Sequence, residues 1–210
     1  MDAEGTLTLI EDMISLGIKP VFLSSSFVYD GEKGGYGEDH PHNPISAYGR
    51  HKSQVEKYVS GMAGDALVLR FDKIVGDDPS EHHLFSEWHQ WITGKRPITC
   101  IQGQVISPTW VKDAAQAIVL GCTLGLSGLY NVANQEFIAR DQLAEQFTAA
   151  LGIDHQIVSK PQVELNLLDR RPLKSHLDST RFLQKTGMEF TPMREVISAF
   201  IRRLRPVSIK

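Results

Sequence analysis

The 210 residues contain only two cysteines, Cys100 and Cys122, and neither stands in a Cys-x-x-Cys or other metal-ligating spacing. Structural zinc and a disulfide scaffold are therefore excluded, and free thiols in a reducing compartment are expected. Charge of one sign is also scarce: the net charge is −3, with a pI near 6.2, which leaves no electrostatic footprint for nucleic acid. The run Arg202-Arg203-Leu204-Arg205 reads as the solvated end of a helix. No apolar run approaches a membrane span, and the first residues are acidic, so a soluble cytoplasmic protein without membrane contact is expected. Internal repeats and low-complexity tracts are missing as well. His82, His83 and His89, with Glu81, invite a metal reading, but they lack a His-Glu-x-x-His pattern and no metal site is expected.

What is present centres on residues 20–52. Val21-Phe22-Leu23 is a short apolar run that ends in Ser24, Ser25 and Ser26. A run that brief and so little alternating suits a strand buried on both faces of a parallel sheet. A Gly-rich loop follows from Gly31 to Gly37. Asn43-Pro44 then opens a helical segment with Ser46 available as its cap, running to about Met62. In that helix Tyr48 and Lys52 fall four apart and share a face.

A free tyrosine, with a pKa of about 10, exchanges protons poorly at neutral pH, and an ammonium one turn away favours its phenolate. A serine at the carboxyl end of the neighbouring strand could bond the same reacting oxygen, and in open α/β sheets ligands bind at that end. An ordinary amphipathic helix beside a polar strand end would show the same spacing. Tyr29 and Lys33 match it too, yet they straddle Gly31 in a loop.

The combination is more specific. Ser24-Ser25-Ser26-x-Val28-Tyr29-Asp30-Gly31, an acidic loop, and Asn43-Pro44-x-Ser46-x-Tyr48-Gly49-x-x-Lys52 together resemble the extended short-chain dehydrogenase/reductases. That family includes nucleotide-sugar epimerases, dehydratases and dTDP-4-dehydrorhamnose reductases. The resemblance implies Tyr48 as catalytic acid/base, Lys52 as the lysine that lowers its pKa and holds the nicotinamide ribose, and Ser25 as the catalytic serine. It also implies NADP or NAD as cofactor and a nucleotide-sugar substrate. The rhamnose-type reductases commonly carry Asp where Ser26 stands, so the subfamily match is approximate.

The remaining elements follow in order. Gly5 to Leu16 is a helix. Ala66 to Arg70 is a second buried strand, continuing to Gly76, and Lys73 stands where many family members carry Asn. Lys73 is a candidate substrate phosphate contact or an exposed loop lysine. Phe85 to Trp91 reads as a helix, with Trp88 and Trp91 as core or pocket wall. Ile98 to Ile101 is a strand, and Asp113 starts or caps a helix from Val111 to Leu120. Leu129 to Val132 is a strand and Ile138 to Leu151 a helix. Gly121, Gly125 and Gly128 follow a helix and precede a strand, the wrong order for a dinucleotide fingerprint, and are turn glycines. Arg170-Arg171-Pro172-x-x-Ser175-x-Leu177-Asp178 resembles a run near the end of the rhamnose-type reductases, and its guanidinium groups suit a phosphate, Arg171 in particular. Helix capping or a surface ion pair would suit them equally. Met193 to Leu204 is the last helix.

The expected fold is therefore α/β: a partial Rossmann-type, doubly wound parallel sheet with a small C-terminal α/β substrate-binding lobe. Residues 1–76 would be the later part of a NAD(P)-binding Rossmann domain. Residues 77–210 would be mainly the substrate lobe, with segments returning to the main sheet. The family's first strand, Gly-rich turn and ribose-binding acid have no counterpart here, so a fragment with an open strand edge is expected, poorly soluble or paired as a homodimer or with an edge-strand partner. The expected function is a 4-keto nucleotide-sugar reductase. A nucleotide-sugar epimerase or dehydratase is one alternative. A non-catalytic, reductase-like regulatory or scaffold protein, of which the regulatory subunit of methionine adenosyltransferase is a precedent, is another.

Overall fold

The computed structural model describes residues 3–61 and 66–204. Its centre is a three-stranded parallel sheet in the order β1 (Val21–Ser25), β2 (Leu67–Phe71), β7 (Gly128–Asn131). All five residues of β2 are buried, as a central parallel strand requires. Its side chains alternate between the two faces. Leu67, Leu69 and Phe71 pack against α4 (Val111–Thr123) and α6 (Thr180–Thr186) through Ala114, Ala117 and Phe182. On the opposite face Val68 meets α1 (Ala3–Ser15) and α2 (Ala47–Ser60) through Ile10, Val55 and Val59. Helices on both faces make the sheet doubly wound. β1 has one strand neighbour among the described residues, and Leu23 on it is 41% exposed.

The chain after β2 builds a second core. β3 (Lys73–Val75) pairs in parallel with β6 (Pro108–Trp110), the Pro-Thr segment, and α4 begins directly after it. β4 (Ile98–Ile101) pairs with β9 (Ile157–Lys160), and β5 (Val105–Ile106) runs antiparallel to β8 (Ile138–Ala139). Around them α3 (Leu84–Thr93), α5 (Arg140–Leu151) and α7 (Met193–Leu204) bury Phe85, Trp88, Phe147 and Phe200 as one aromatic cluster. The Phe85 and Phe147 rings stack at 5.2 Å. Of the two places expected for Trp88, core or pocket wall, it takes the core.

Two expectations need correction. Ile138 and Ala139 belong to β8, and the helix starts at Arg140. Asp113 lies in the first turn of α4, but its carboxylate leaves the helix to accept from Thr191 N at 2.8 Å and Thr191 Oγ1 at 2.9 Å. The end expected for the Tyr48 helix, Met62, lies outside the described residues; α2 ends at Ser60.

Two close approaches position the site. Gly31, at φ +76°, lets the Gly-rich loop lie on the later Arg-Arg-Pro segment, where a Cβ would come within 2.4 Å of the Pro172 Cβ. Gly49 lets the first turn of α2 sit on the chain leaving β1, where a Cβ would stand 2.0 Å from the Phe27 carbonyl oxygen. Gly49→Ala is therefore expected to push α2 away from β1. The expected cost, read from urea unfolding, is about 1–3 kcal/mol, as for overpacking elsewhere.

Candidate active site

The three serines at the end of β1 point to three different partners. Ser24 Oγ donates to the Glu56 carboxylate. Ser26 Oγ donates to Asp72 Oδ1 at 2.7 Å. Ser25 Oγ accepts from Phe27 N at 3.2 Å, capping a short 3-10 turn over Ser26–Val28, and its hydroxyl faces Tyr48 closely enough to oppose the rise of the phenol pKa.

α2 starts where the sequence places it. Ser46 Oγ accepts from Gly49 N at 3.0 Å, and the Asp169 carboxylate accepts from Ala47 N, an acid at a helix N-terminus. The second bond draws the 162–173 segment over the start of α2. Tyr48 then packs edge-on to Phe27, with centroids 5.7 Å apart at 82°. One turn on, Lys52 Nζ donates to the Leu23 carbonyl at 2.7 Å, 4.6 Å from the centre of the Phe22 ring and 5.6 Å from that of Tyr48. Tyr48, Lys52 and Ser25 are thus brought together at the carboxyl end of β1, with Tyr48 half exposed at 52%.

The electrostatics differ from the sequence expectation. Burial raises the Tyr48 pKa, opposed by the hydrogen bond from Ser25, so the phenol is not pulled down by Lys52. The ammonium stands over the ring and is held by the Leu23 carbonyl. Burial also lowers the Lys52 pKa, opposed by the charge of Glu56. Asp72 is pushed up by burial, against hydrogen bonds from the Ser107 amide at 2.6 Å, from Ser175 and from Ser26.

A cavity of about 390 Å³ gathers Lys73, Arg140, Arg171, Glu87, Trp91 and His82. Lys73 and Arg171 therefore share one space, and Lys73 is half-buried on β3 rather than out on a loop. Arg140 was not singled out by the sequence. It is buried, with Nη1 donating to Gln104 Oε1 at 3.1 Å and Nη2 4.0 Å from Glu87 Oε2, while its Nε has no partner among the described residues. Burial and then the charges of Arg140 and Arg171 depress the Lys73 pKa. Three cations against one carboxylate favour an anion. Glu56 was also missed, although its place two turns beyond Tyr48 could have been read from helical spacing. Of the histidines, His83 Nε2 lies 2.9 Å from the Asp78 carbonyl and its ring packs on Phe85 and Phe200, where His89 also packs.

The model of the RmlD substrate binding domain matches residues 1–205. The chain belongs to that family, within the extended short-chain dehydrogenase/reductases. The RmlD-type chain is 26% identical over 185 residues to the probable low-salt glycan biosynthesis reductase Agl14 of Haloferax volcanii, covering 85% of this chain and 61% of that protein. It is 25% identical over 195 residues to the methionine adenosyltransferase 2 subunit beta of Xenopus tropicalis, covering 89% of this chain and 58% of that one. The fold is shared with the dTDP-4-dehydrorhamnose reductase of Bacillus anthracis, solved in complex with NADP, at a TM-score of 0.79 and 22% identity over 90% of this chain and 66% of that structure. The RmlD-type chain thus spans about three fifths of the length of these two curated relatives. Among the described residues no helix is long and apolar enough to cross a membrane.

Proposed function

We propose that this chain carries the proton relay and substrate cavity of an NAD(P)H-dependent reductase acting on a 4-keto nucleotide sugar. The observation that carries the reading is that Tyr48 and Lys52 stand one helical turn apart on α2, against the end of β1 where Ser25 lies, with Lys52 Nζ 5.6 Å from the centre of the Tyr48 ring and bonded to the Leu23 carbonyl. In this reading residues 1–76 belong to the nucleotide-binding domain and residues 77–210 mainly to the substrate lobe.

The residues suit a nicotinamide cofactor. Among the described residues Lys52 Nζ has one hydrogen-bond acceptor, Leu23 O, which leaves two N–H groups for ribose hydroxyls. The bound nicotinamide supplies hydride to the carbonyl carbon. Tyr48, with its pKa raised by burial, stays protonated through the neutral range and donates its proton to the carbonyl oxygen. Ser25 holds that oxygen by a second hydrogen bond and stabilises the charge developing on it. Lys52 orients the cofactor and supports the phenolate left on Tyr48.

Lys73, Arg140 and Arg171 hold the diphosphate of the substrate in this reading, with Trp91 as a cavity wall. A charge-assisted hydrogen bond contributes about 1.5–3 kcal/mol, so Arg140→Met is expected to weaken nucleoside diphosphate binding by about 10- to 100-fold in calorimetry. Because Lys73 loses its proton below the ordinary lysine range, affinity should fall early on the alkaline side. Equal affinity in Arg140→Met would remove the diphosphate from this cavity.

The match to the methionine adenosyltransferase subunit favours a second reading, a non-catalytic regulatory protein. The two separate on one assay. NADPH oxidation that depends on a 4-keto nucleotide sugar supports the reductase, and NADPH binding without turnover of any such sugar supports the regulator.

A further inference from the structure

Tyr48, Lys52 and Glu56 follow one another at four-residue steps and share one face of α2. Glu56 is buried at 1% exposure, and its carboxylate gathers three other elements. Ser24 of β1 donates to it. Arg70 of β2 donates from Nε at 3.0 Å to Oε1 and 2.9 Å to Oε2, and again from Nη2. His42, in the loop before α2, places Nε2 3.3 Å from Oε2, while its Nδ1 lies 2.8 Å from Ser53 Oγ on α2 itself. Arg70 is anchored in turn by the Tyr29 hydroxyl and, at 3.2 Å, by the Glu38 carbonyl.

Ser24 directly precedes Ser25, and Ser24 is the register partner of Arg70 across β1 and β2. Both strand ends and the helix that bears Tyr48 are therefore tied at one carboxylate, a residue away from the reacting hydroxyl. We propose that Glu56 is the positioning residue of the relay, holding α2 against β1 and β2 so that Tyr48, Lys52 and Ser25 meet at one point. The inference rests on the relay reading above, and Glu56 acts through Lys52 and Ser25 without touching substrate.

The groups facing Lys52 are Tyr48 and Glu56 on α2, with the Phe22 ring and the Leu23 carbonyl on β1. Glu56 is the one anion among them, and it favours the ammonium against the burial that opposes it. The test is Glu56→Gln. Lys52 is followed by NMR through the ε-carbon resonance of lysine-labelled protein, assigned with Lys52→Arg. The Lys52 midpoint is expected to move to lower pH than in the wild type. With NADPH and a 4-keto nucleotide sugar, kcat is expected to fall about 10- to 100-fold, the scale of a small misplacement, with KM within about twofold. A Lys52 midpoint and a kcat both equal to wild type in folded Glu56→Gln would overturn the proposal. Should that variant fail to fold, the double variant Glu56→Gln/Arg70→Met removes both buried charges together, and there the readout is kcat, expected to fall as in Glu56→Gln with KM within about twofold. A kcat equal to wild type in the folded double variant overturns it equally. Failure of the reductase reading shows separately, as wild-type protein that oxidises no NADPH.

Discussion

Tyr48→Phe is expected to keep nicotinamide binding and lose roughly 10²- to 10⁴-fold in kcat, the usual contribution of a positioned acid or base. The substitution removes one oxygen and little else. The phenyl ring can keep its edge contact with Phe27 and its place beneath the Lys52 ammonium. Cofactor and substrate therefore lose no ordinary contact, and KM should change little. What goes is the proton carried to the carbonyl oxygen and the hydroxyl that faces Ser25. The sign of the pH dependence follows from the raised Tyr48 pKa. Below it the phenol is protonated and reduction is supported; above it the phenolate favours the reverse oxidation. Reduction in the wild type should thus hold through neutral pH and fall only on the alkaline side. Unaltered turnover in Tyr48→Phe would remove the phenol from the mechanism.

Arg70→Ala is expected to cost about 3–5 kcal/mol, the price of leaving one member of a buried ion pair alone. Both Arg70 and Glu56 are 1% exposed, so water cannot take the place of the guanidinium. The loss also opens space under Tyr29, whose ring lies 5.2 Å from the guanidinium carbon. For a chain of this size the midpoint of thermal unfolding should drop by roughly 10 °C. The effect should depend on pH. Burial would raise the Glu56 pKa, but hydrogen bonds from His42 and Arg70, the Arg70 charge and a hydrogen bond from Ser24 together hold it lowered. A carboxylate lowered in the fold contributes stability above its unfolded pKa, and that stability is lost as pH falls through the folded value. The gap between wild type and Arg70→Ala should therefore narrow in acid. Calorimetry at neutral and acid pH reads both the drop and the narrowing.

Much of the fold was legible because local signals agree with tertiary ones. The serines stop β1, Ser46 caps α2, and the apolar run before Arg70 makes a central strand. The candidate site was legible for the same reason: Tyr48 and Lys52 share one helix, and Ser25 ends the strand beside it. Other parts were hidden for identifiable reasons. β9, reading Ile157-Val158-Ser159-Lys160, is half exposed and carries no sustained apolar pattern. α6 has seven residues and a single buried side chain, Phe182. Asp113 looks like a cap from its neighbours, yet its partner Thr191 lies 78 residues on. The cavity cations come from β3, the start of α5 and the Arg-Arg-Pro segment, so only the folded chain brings Arg140 to Lys73. The direction of the Tyr48 pKa was misjudged because sequence shows the ammonium at helical spacing but not the burial that outweighs it.

The most direct test is a nicotinamide fluorescence titration of the protein with NADPH and, in parallel, NADH. Saturable enhancement in the wild type and in Tyr48→Phe, weakened in Lys52→Met, is the result expected if Lys52 presents two free N–H groups to a ribose beside the phenol. Folded wild-type protein that enhances neither dinucleotide at any concentration, or Lys52→Met that binds as tightly as wild type, would contradict it.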